Sequence, residues 1–127
     1  KILVVTLLTS FSKENLPATV TVKSFEEGVS TLADSALANG LTGLVCSPHE
    51  VAGLRAKSKT AFLVTPGVRL DASTTDDQKR TETPAAALEK GASALVVGRP
   101  IIEAKDPVEA ADRVLASINE ANKAAKR

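Results

Sequence analysis

Two junctions in the sequence combine an apolar run, a glycine and an arginine, and residues of these types can bind an anion. The first is "LVTPGVR" over 63–69, which ends at Arg69. The second is "ALVVGRP" over 94–100, which carries Gly98 and Arg99. A phosphate dianion is bound by backbone N–H groups on a tight turn, by a guanidinium fork and by the start of a helix. Both junctions therefore predict a phosphate site, in which Gly98 lets the backbone come close to the ligand.

The first junction leads into a long polar loop. This loop contains "DDQKR" over 76–80, and the amide of Gln78 could donate a hydrogen bond to the same anion. A single Gly-Arg pair is also compatible with a turn glycine and an arginine that pairs with a local carboxylate. Two such junctions after neighbouring strands favour the phosphate interpretation.

Four short apolar runs predict the strands that would position these junctions. The runs are continuous rather than alternating, which is typical of strands in a parallel sheet covered by helices. They are "ILVVT" (2–6), "GLVCS" (43–47), "AFLVT" (61–65) and "ALVVG" (94–98).

Each apolar run is followed by a signature that predicts the start of a helix. Ser24 and Ser47 each begin a capping box, and Ser47 is followed by a proline at the first predicted helical position. Thr83 and Asp106 each precede a proline and predict two further helix starts. Residues 101–105 could form a short helix aimed at the anion. The helix after Asp106 is predicted to bury one face, made of Val108, Ala111, Leu115 and Ile118.

The resulting order is four consecutive βα units, which predicts an α/β fold with a parallel sheet. A doubly wound open sheet and a segment of a (βα)8 barrel both fit this order. The dinucleotide-binding pattern G-x-G-x-x-G is absent after the first strand, where "TLLTSFS" stands, and this disfavours the first option. A complete barrel takes ~250 residues. The 127 residues are therefore expected to form a single domain, 1–127, that is half of a (βα)8 barrel.

The composition argues against several other classes of function. Aromatic residues make up 2% of the chain and the net charge is +1, so nucleic-acid binding is not predicted. One cysteine and one histidine predict neither a disulfide nor a metal site, and they fit a reducing compartment such as the cytoplasm. No apolar run approaches the ~20 residues that a membrane span needs. We expect no metal and no cofactor.

The remaining reactive side chains are expected to have structural roles. Cys46 ends an apolar strand and is predicted to be a small core residue, since no base is evident beside it. His49 follows in the first turn of a predicted helix and is expected to be exposed rather than catalytic. Ser47 is predicted to cap that helix rather than to act as a nucleophile.

Six segments resemble, in order and spacing, orotidine 5′-phosphate decarboxylase of the bacterial type. The similarity spans nearly the whole chain and corresponds to the C-terminal half of that enzyme, its fifth to eighth βα units. It implies a lyase of pyrimidine biosynthesis, which converts orotidine 5′-phosphate to uridine 5′-phosphate and CO2. The segments are "VTLLTS" (5–10), "GLVCS" (43–47), "LVTPGVR" (63–69), "DDQKR" (76–80), "TP" (83–84) and "VVGRPI" (96–101).

The resemblance implies that a nucleoside 5′-monophosphate is the ligand. Gly98 and Arg99 would hold its phosphate, and Gln78 would close over the phosphate from the long loop. Arg69 would brace that loop and the phosphate site.

The resemblance also implies which residues hold the pyrimidine. Thr9, with Ser10 beside it, would hydrogen-bond the base, and Pro66 would line the base pocket. Lys79 and Arg80 match the family motif, but we assign them no direct contact.

The catalytic part of the resembled enzyme is missing from the sequence. The family's chemistry uses an alternating array of aspartates and lysines that includes a D-x-K-x-x-D motif, and this chain has none. Decarboxylation leaves carbanion character at C6 of the pyrimidine, which needs a nearby cation and a proton donor. We therefore assign no catalytic residue here and expect the isolated chain to be inactive.

A half-barrel exposes two strand edges and is expected to associate with a partner. The partner would be the missing N-terminal half or a second copy of the chain that closes an eight-stranded body. Because the sequence opens inside a strand at "KILVV", an excised or engineered piece is indicated. The alternative function is thus a non-catalytic half-barrel scaffold that self-associates. A pentose-phosphate epimerase is disfavoured by "DDQKR".

Overall fold

Four parallel strands, paired in chain order, form the centre of the molecule. A computed structural model describes residues 2–8, 10, 11, 16, 21–70 and 81–125. The sheet order is β1-β2-β3-β4, with Val4, Leu44 and Leu63 in one row across the first three strands. The strands are β1 (Leu3–Val5), β2 (Gly43–Val45), β3 (Phe62–Thr65) and β4 (Ala94–Leu95).

Helices follow every strand, so the predicted α/β fold of four consecutive βα units is confirmed. The last unit carries two helices, because a short helix precedes the long C-terminal one. The helices are α1 (Phe25–Ala38), α2 (Val51–Lys57), α3 (Pro84–Glu89), α4 (Arg99–Ile102) and α5 (Pro107–Ala125).

Three of the predicted helix starts are confirmed by their capping hydrogen bonds. The Ser24 hydroxyl accepts from the Glu27 N–H at 3.1 Å, and the Thr83 hydroxyl accepts from the Ala86 N–H at 3.3 Å. The Asp106 carboxylate accepts from the first free N–H groups of α5. These side chains satisfy donors that no helical carbonyl can reach.

The predicted start of α2 was wrong by three residues. The helix begins at Val51, whereas 48–50 form a turn. The expected partners of the capping box do meet, since the Ser47 N–H donates to the Glu50 carboxylate at 2.8 Å. The Ser47 hydroxyl also donates to that carboxylate. Glu50 is the N-cap residue of α2 by position, but its side chain makes no capping hydrogen bond to the helix.

The core lies between the helices and one face of the sheet. Leu44 and Leu63 are 1% and 0% exposed and pack with Val29 and Ala33 of α1. Gly43 permits this close pairing of β1 and β2, because a Cβ there would lie 2.4 Å from the Ile2 carbonyl oxygen.

The predicted buried face of α5 was wrong. Val108 and Leu115 are 72% and 55% exposed. The helix packs against α3 and α4 and instead buries Ala110, Val114 and Ala121. Small alanines allow close helix packing, and the larger apolar side chains face away from these neighbours.

Candidate functional site

The predicted binding residues lie at one edge of the sheet. All four strands are parallel, so their carboxyl ends and the loops that follow share that edge. β3 pairs with β4, and the Val96 N–H continues this pairing to the Thr65 carbonyl at 3.0 Å. The two glycine–arginine junctions therefore lie side by side.

The junction after β3 is a tight turn that ends in a buried arginine. Gly67 has φ of +81°, a conformation that favours glycine. Arg69 is 9% exposed, its N–H donates to the Glu82 carbonyl at 2.8 Å, and its Nη1 donates to the Val68 carbonyl at 3.0 Å. The arginine is thus built into the base of the long loop.

The base of this loop is held by contacts that the sequence analysis missed. Val68 and Glu82 form an isolated parallel bridge, and the Glu82 carboxylate pairs with the Lys90 ammonium at the end of α3. Glu82 lies before α3 and Lys90 follows the last residue of that helix, so the two are not neighbours within one regular element. Only the fold brings them together.

The junction after β4 leads directly into α4. Gly98 is the N-cap of this helix, and its carbonyl accepts from the Ile101 N–H at 2.9 Å. The helix begins at Arg99, earlier than the predicted 101–105, because Pro100 fits its first turn. Gly98 is exposed, and an added Cβ would meet no atom within 4 Å. There is open space directly above this backbone.

The predicted pyrimidine contacts that the structure describes follow two strands that are not adjacent, β1 and β3. Ser10 follows β1 and is half-buried near a turn in which the Phe11 N–H donates to the Leu8 carbonyl. Pro66 follows β3 and is also half-buried. Three strand spacings of ~4.8 Å separate β1 from β4, about 14 Å along the sheet. Ser10 thus lies at the far side of the edge from the phosphate junctions.

Two predicted binding residues, Thr9 and Gln78, lie outside the described residues. The same holds for the rest of "DDQKR", including Lys79 and Arg80.

The prediction that Cys46 is a core residue is confirmed. The side chain is 1% exposed, and burial, with the neighbouring Glu50 charge, raises the pKa of its thiol from 9.0 to about 11. The Thr65 hydroxyl and the Arg55 charge oppose this shift without cancelling it. Because the thiolate is the nucleophile, Cys46 is unreactive at neutral pH. His49 is exposed, as predicted.

Among the described residues, no group of three or more His, Cys, Asp or Glu side chains could hold a metal ion. None of the helices in that part of the chain is both long and apolar enough to cross a membrane.

The fold first defines a class, namely half of a (βα)8 barrel. A crystal structure of orotidine 5′-phosphate decarboxylase from Lactobacillus acidophilus matches 94% of this chain with a TM-score of 0.73 and 37% identity. The corresponding enzyme from Sulfolobus solfataricus, at 16% identity and a TM-score of 0.64, shows the same fold. The chain covers 49% of each of these two structures.

Sequence comparison then shows the family. The model described as orotidine 5′-phosphate decarboxylase / HUMPS family matches residues 1–114, and the chain belongs to that family. A relative named orotidine 5′-phosphate decarboxylase from Rhodopseudomonas palustris (strain HaA2) is 48% identical over 122 residues. Another of that name, from Trichlorobacter lovleyi, is 44% identical over 119 residues. The chain spans about half of each relative, 52% and 49%.

Proposed function

We propose that the chain is the phosphate- and pyrimidine-binding half of an orotidine 5′-phosphate decarboxylase, with 1–127 acting as one unit. The observation that carries this proposal is the pairing of β3 with β4, which sets the two glycine–arginine junctions side by side. The relatives named orotidine 5′-phosphate decarboxylase support a nucleoside 5′-monophosphate as the ligand class.

In this proposal the phosphate lies over the junction after β4. Arg99 contributes a guanidinium fork, and the exposed backbone at Gly98 leaves room for the anion. Gln78 closes over the phosphate from the long loop. Buried Arg69 positions the base of that loop through its bond to the Glu82 carbonyl.

The pyrimidine lies over the strand ends nearer the middle and far side of the sheet. Pro66 lines the base pocket, and Thr9 and Ser10 hydrogen-bond the base. Pro66 follows the strand next to β4, whereas Ser10 follows β1, three strand spacings or about 14 Å from β4, so the ligand would extend along the sheet edge from the phosphate junction.

The chemical step needs groups that this chain does not supply. Loss of CO2 breaks the bond between C6 and the carboxylate carbon, and the electron pair left on C6 must be stabilised by a cation and then protonated. The D-x-K-x-x-D motif that provides these groups in the family is absent from the sequence. The chain therefore contributes ligand binding and requires a second half-barrel for turnover.

The second half-barrel would be an N-terminal half or another copy of this chain. We propose that the assembled barrel binds a nucleotide of pyrimidine biosynthesis. The chain would then act in the cytoplasm, with that pathway.

An NMR titration with uridine 5′-phosphate tests the proposal. We expect the backbone signals of Gly98 and Gln78 and the side-chain signals of Arg99 to shift together and to saturate. Uridine, which lacks the phosphate, should bind at least about tenfold more weakly, because hydrogen bonds to charged groups contribute about 1.5–3 kcal/mol.

Arg99→Ala should weaken uridine 5′-phosphate binding by a similar factor. Arg113→Ala is the matched control, because it removes the same charge from an exposed position on α5. If no signal moves at millimolar ligand, or if both variants bind equally well, the chain is not the ligand-binding half that we propose. The non-catalytic scaffold then becomes the better one.

A further inference from the structure

Backbone contacts tie the junction after β3 to the start of α3. Val68 and Glu82 form a parallel bridge, and the Arg69 N–H donates to the Glu82 carbonyl at 2.8 Å. The next residue, Thr83, caps α3 with its hydroxyl. Glu82 thus connects the buried arginine of the candidate site to the N-terminal end of a helix.

The side chain of Glu82 is held at the opposite end of α3. Its carboxylate pairs with the ammonium of Lys90, the residue that caps the C-terminal end of that helix. The Glu82 side chain is 22% exposed, and its Oε2 atom is buried with no hydrogen-bond donor among the described residues. A carboxylate in this place depends on its ionic partner, because an unpaired charge is costly to bury.

Lys90 also stands just before the strand that carries the second junction. Gly91 turns the chain with φ of +106°, and the Ser93 N–H then donates to the Leu63 carbonyl at 2.9 Å, directly before β4. Both ends of β3 are therefore tied to the segment that contains α3. The pair of Glu82 and Lys90 connects these two ties.

We infer that Lys90 is a positioning residue for nucleotide binding, which acts through the Glu82 carboxylate on Arg69. This inference rests on the proposed function. Without the ammonium, the half-buried carboxylate would turn toward water and draw its own backbone carbonyl away from the Arg69 N–H. The turn after β3 would then lose the contact that holds it beside the phosphate junction.

A second ion pair in the molecule provides a matched control. Lys57 and Asp34 are 2.6 Å apart and join α2 to α1, and the side chain of Lys57 is 37% exposed, the same fraction as that of Lys90. Lys57 contacts Ser30 and Asp34 of α1, whereas Lys90 is connected to the candidate site through Glu82. Removing either lysine takes away one ion pair of similar exposure.

Hydrogen exchange at the Arg69 amide tests the positioning step without a ligand. Lys90→Met should speed exchange at this amide by about tenfold or more, once the rates are corrected for the change in overall stability. Lys57→Met should leave the corrected rate unchanged. An unchanged Arg69 rate in Lys90→Met would overturn the inference.

An NMR titration with uridine 5′-phosphate tests the consequence for binding. Lys90→Met should raise the dissociation constant by about tenfold, because small displacements of positioning groups are costly. Lys57→Met should leave the dissociation constant within about twofold of the wild type. Lys90→Arg keeps the positive charge and should restore binding to within about threefold of the wild type.

The double variant Glu82→Gln/Lys90→Met serves if Lys90→Met does not fold, because it leaves no carboxylate without its partner. It should still raise the dissociation constant by about threefold or more, since the two ties are no longer connected. Wild-type affinity in the double variant, an equal loss in Lys57→Met, or no rescue by Lys90→Arg would each overturn the inference.

The wild-type titration separates this inference from the proposed function. If the wild type does not bind uridine 5′-phosphate, the proposed function fails. If the wild type binds and the variants at Lys90 bind equally well, the proposed function stands and the positioning role of Lys90 is refuted.

Discussion

At the scale of single residues, environment rather than residue type decides what each side chain can do. Arg69 and Arg99 both follow a glycine closely at the end of a strand, yet they have different surroundings. Arg69 is almost fully buried and bonds to backbone carbonyls, whereas Arg99 is half-exposed at the start of α4. Because the Arg99 guanidinium is the more accessible of the two, we propose the binding role for Arg99 and the bracing role for Arg69.

Cys46 provides a prediction about pH at this scale. Its pKa in the folded chain, about 11, lies above the ordinary value of 9.0, so the unfolded chain loses the proton first as the pH rises. The contribution of the protonated thiol to the free energy of unfolding is fully present below pH 9, and it is lost as the pH rises toward about 11. We expect the wild type to lose about 2 kcal/mol of unfolding free energy over this window relative to Cys46→Ala.

Urea denaturation of both chains across that pH range measures this difference. Lysines and other groups titrate in both chains and cancel in the comparison. Parallel pH curves for the two chains would show that the thiol does not ionise on unfolding in the expected window.

At the scale of elements, one side chain links the two halves of the sheet. The Arg55 guanidinium, at the end of α2, donates to the Gly91 carbonyl at 2.8 Å and to the Ala61 carbonyl at 2.9 Å. It also donates to the Ser93 hydroxyl at 3.0 Å, and that hydroxyl in turn accepts from the Leu63 N–H. Arg55 thus ties α2 to the turn that leads into β4.

This network predicts a specific loss of stability. Arg55→Lys keeps the charge but cannot reach several carbonyls at once, because an ammonium lacks the planar fork of a guanidinium. We expect Arg55→Lys to lower the free energy of unfolding by about 2 kcal/mol, since hydrogen bonds from charged groups contribute about 1.5–3 kcal/mol each and are not additive. The urea concentration at the midpoint of unfolding, compared between Arg55→Lys and the wild type, measures this loss.

Arg113→Lys serves as the comparison on the exposed side of α5 and should change the midpoint little. Equal midpoints for Arg55→Lys and the wild type would mean that water replaces the lost bonds without cost.

At the scale of the whole molecule, the described residues form half of a barrel, with the candidate binding residues at one edge of its sheet. We expect the purified chain to show no measurable conversion of orotidine 5′-phosphate, because the Asp/Lys array of the family is absent. Ultraviolet absorbance of the substrate follows the reaction. Adding the N-terminal half of a relative would supply the missing groups and should restore turnover where the halves associate. Turnover by the chain alone that Arg99→Ala abolishes would contradict this expectation.

Much of the fold was accessible from local patterns. The apolar runs predicted all four strands, because strands of a parallel sheet are typically continuous apolar runs, although β1 and β4 are only partly buried here. Ser24, Thr83 and Asp106 predicted three helix starts, because their side chains bond to N–H groups only a few residues away. The start of α2 and the buried face of α5 were missed, because both depend on neighbouring elements.

The features of the candidate site also separate into those set by local sequence and those set by contacts between distant residues. The sequence by itself determined the residue types at the strand ends, the order of the βα units and the family, since these depend on chemistry that is local along the chain. The tertiary structure alone decided that Arg69 is buried and that Glu82 and Lys90 meet. Such features depend on contacts between residues far apart in the chain, and only the packing of the sheet and helices sets those distances.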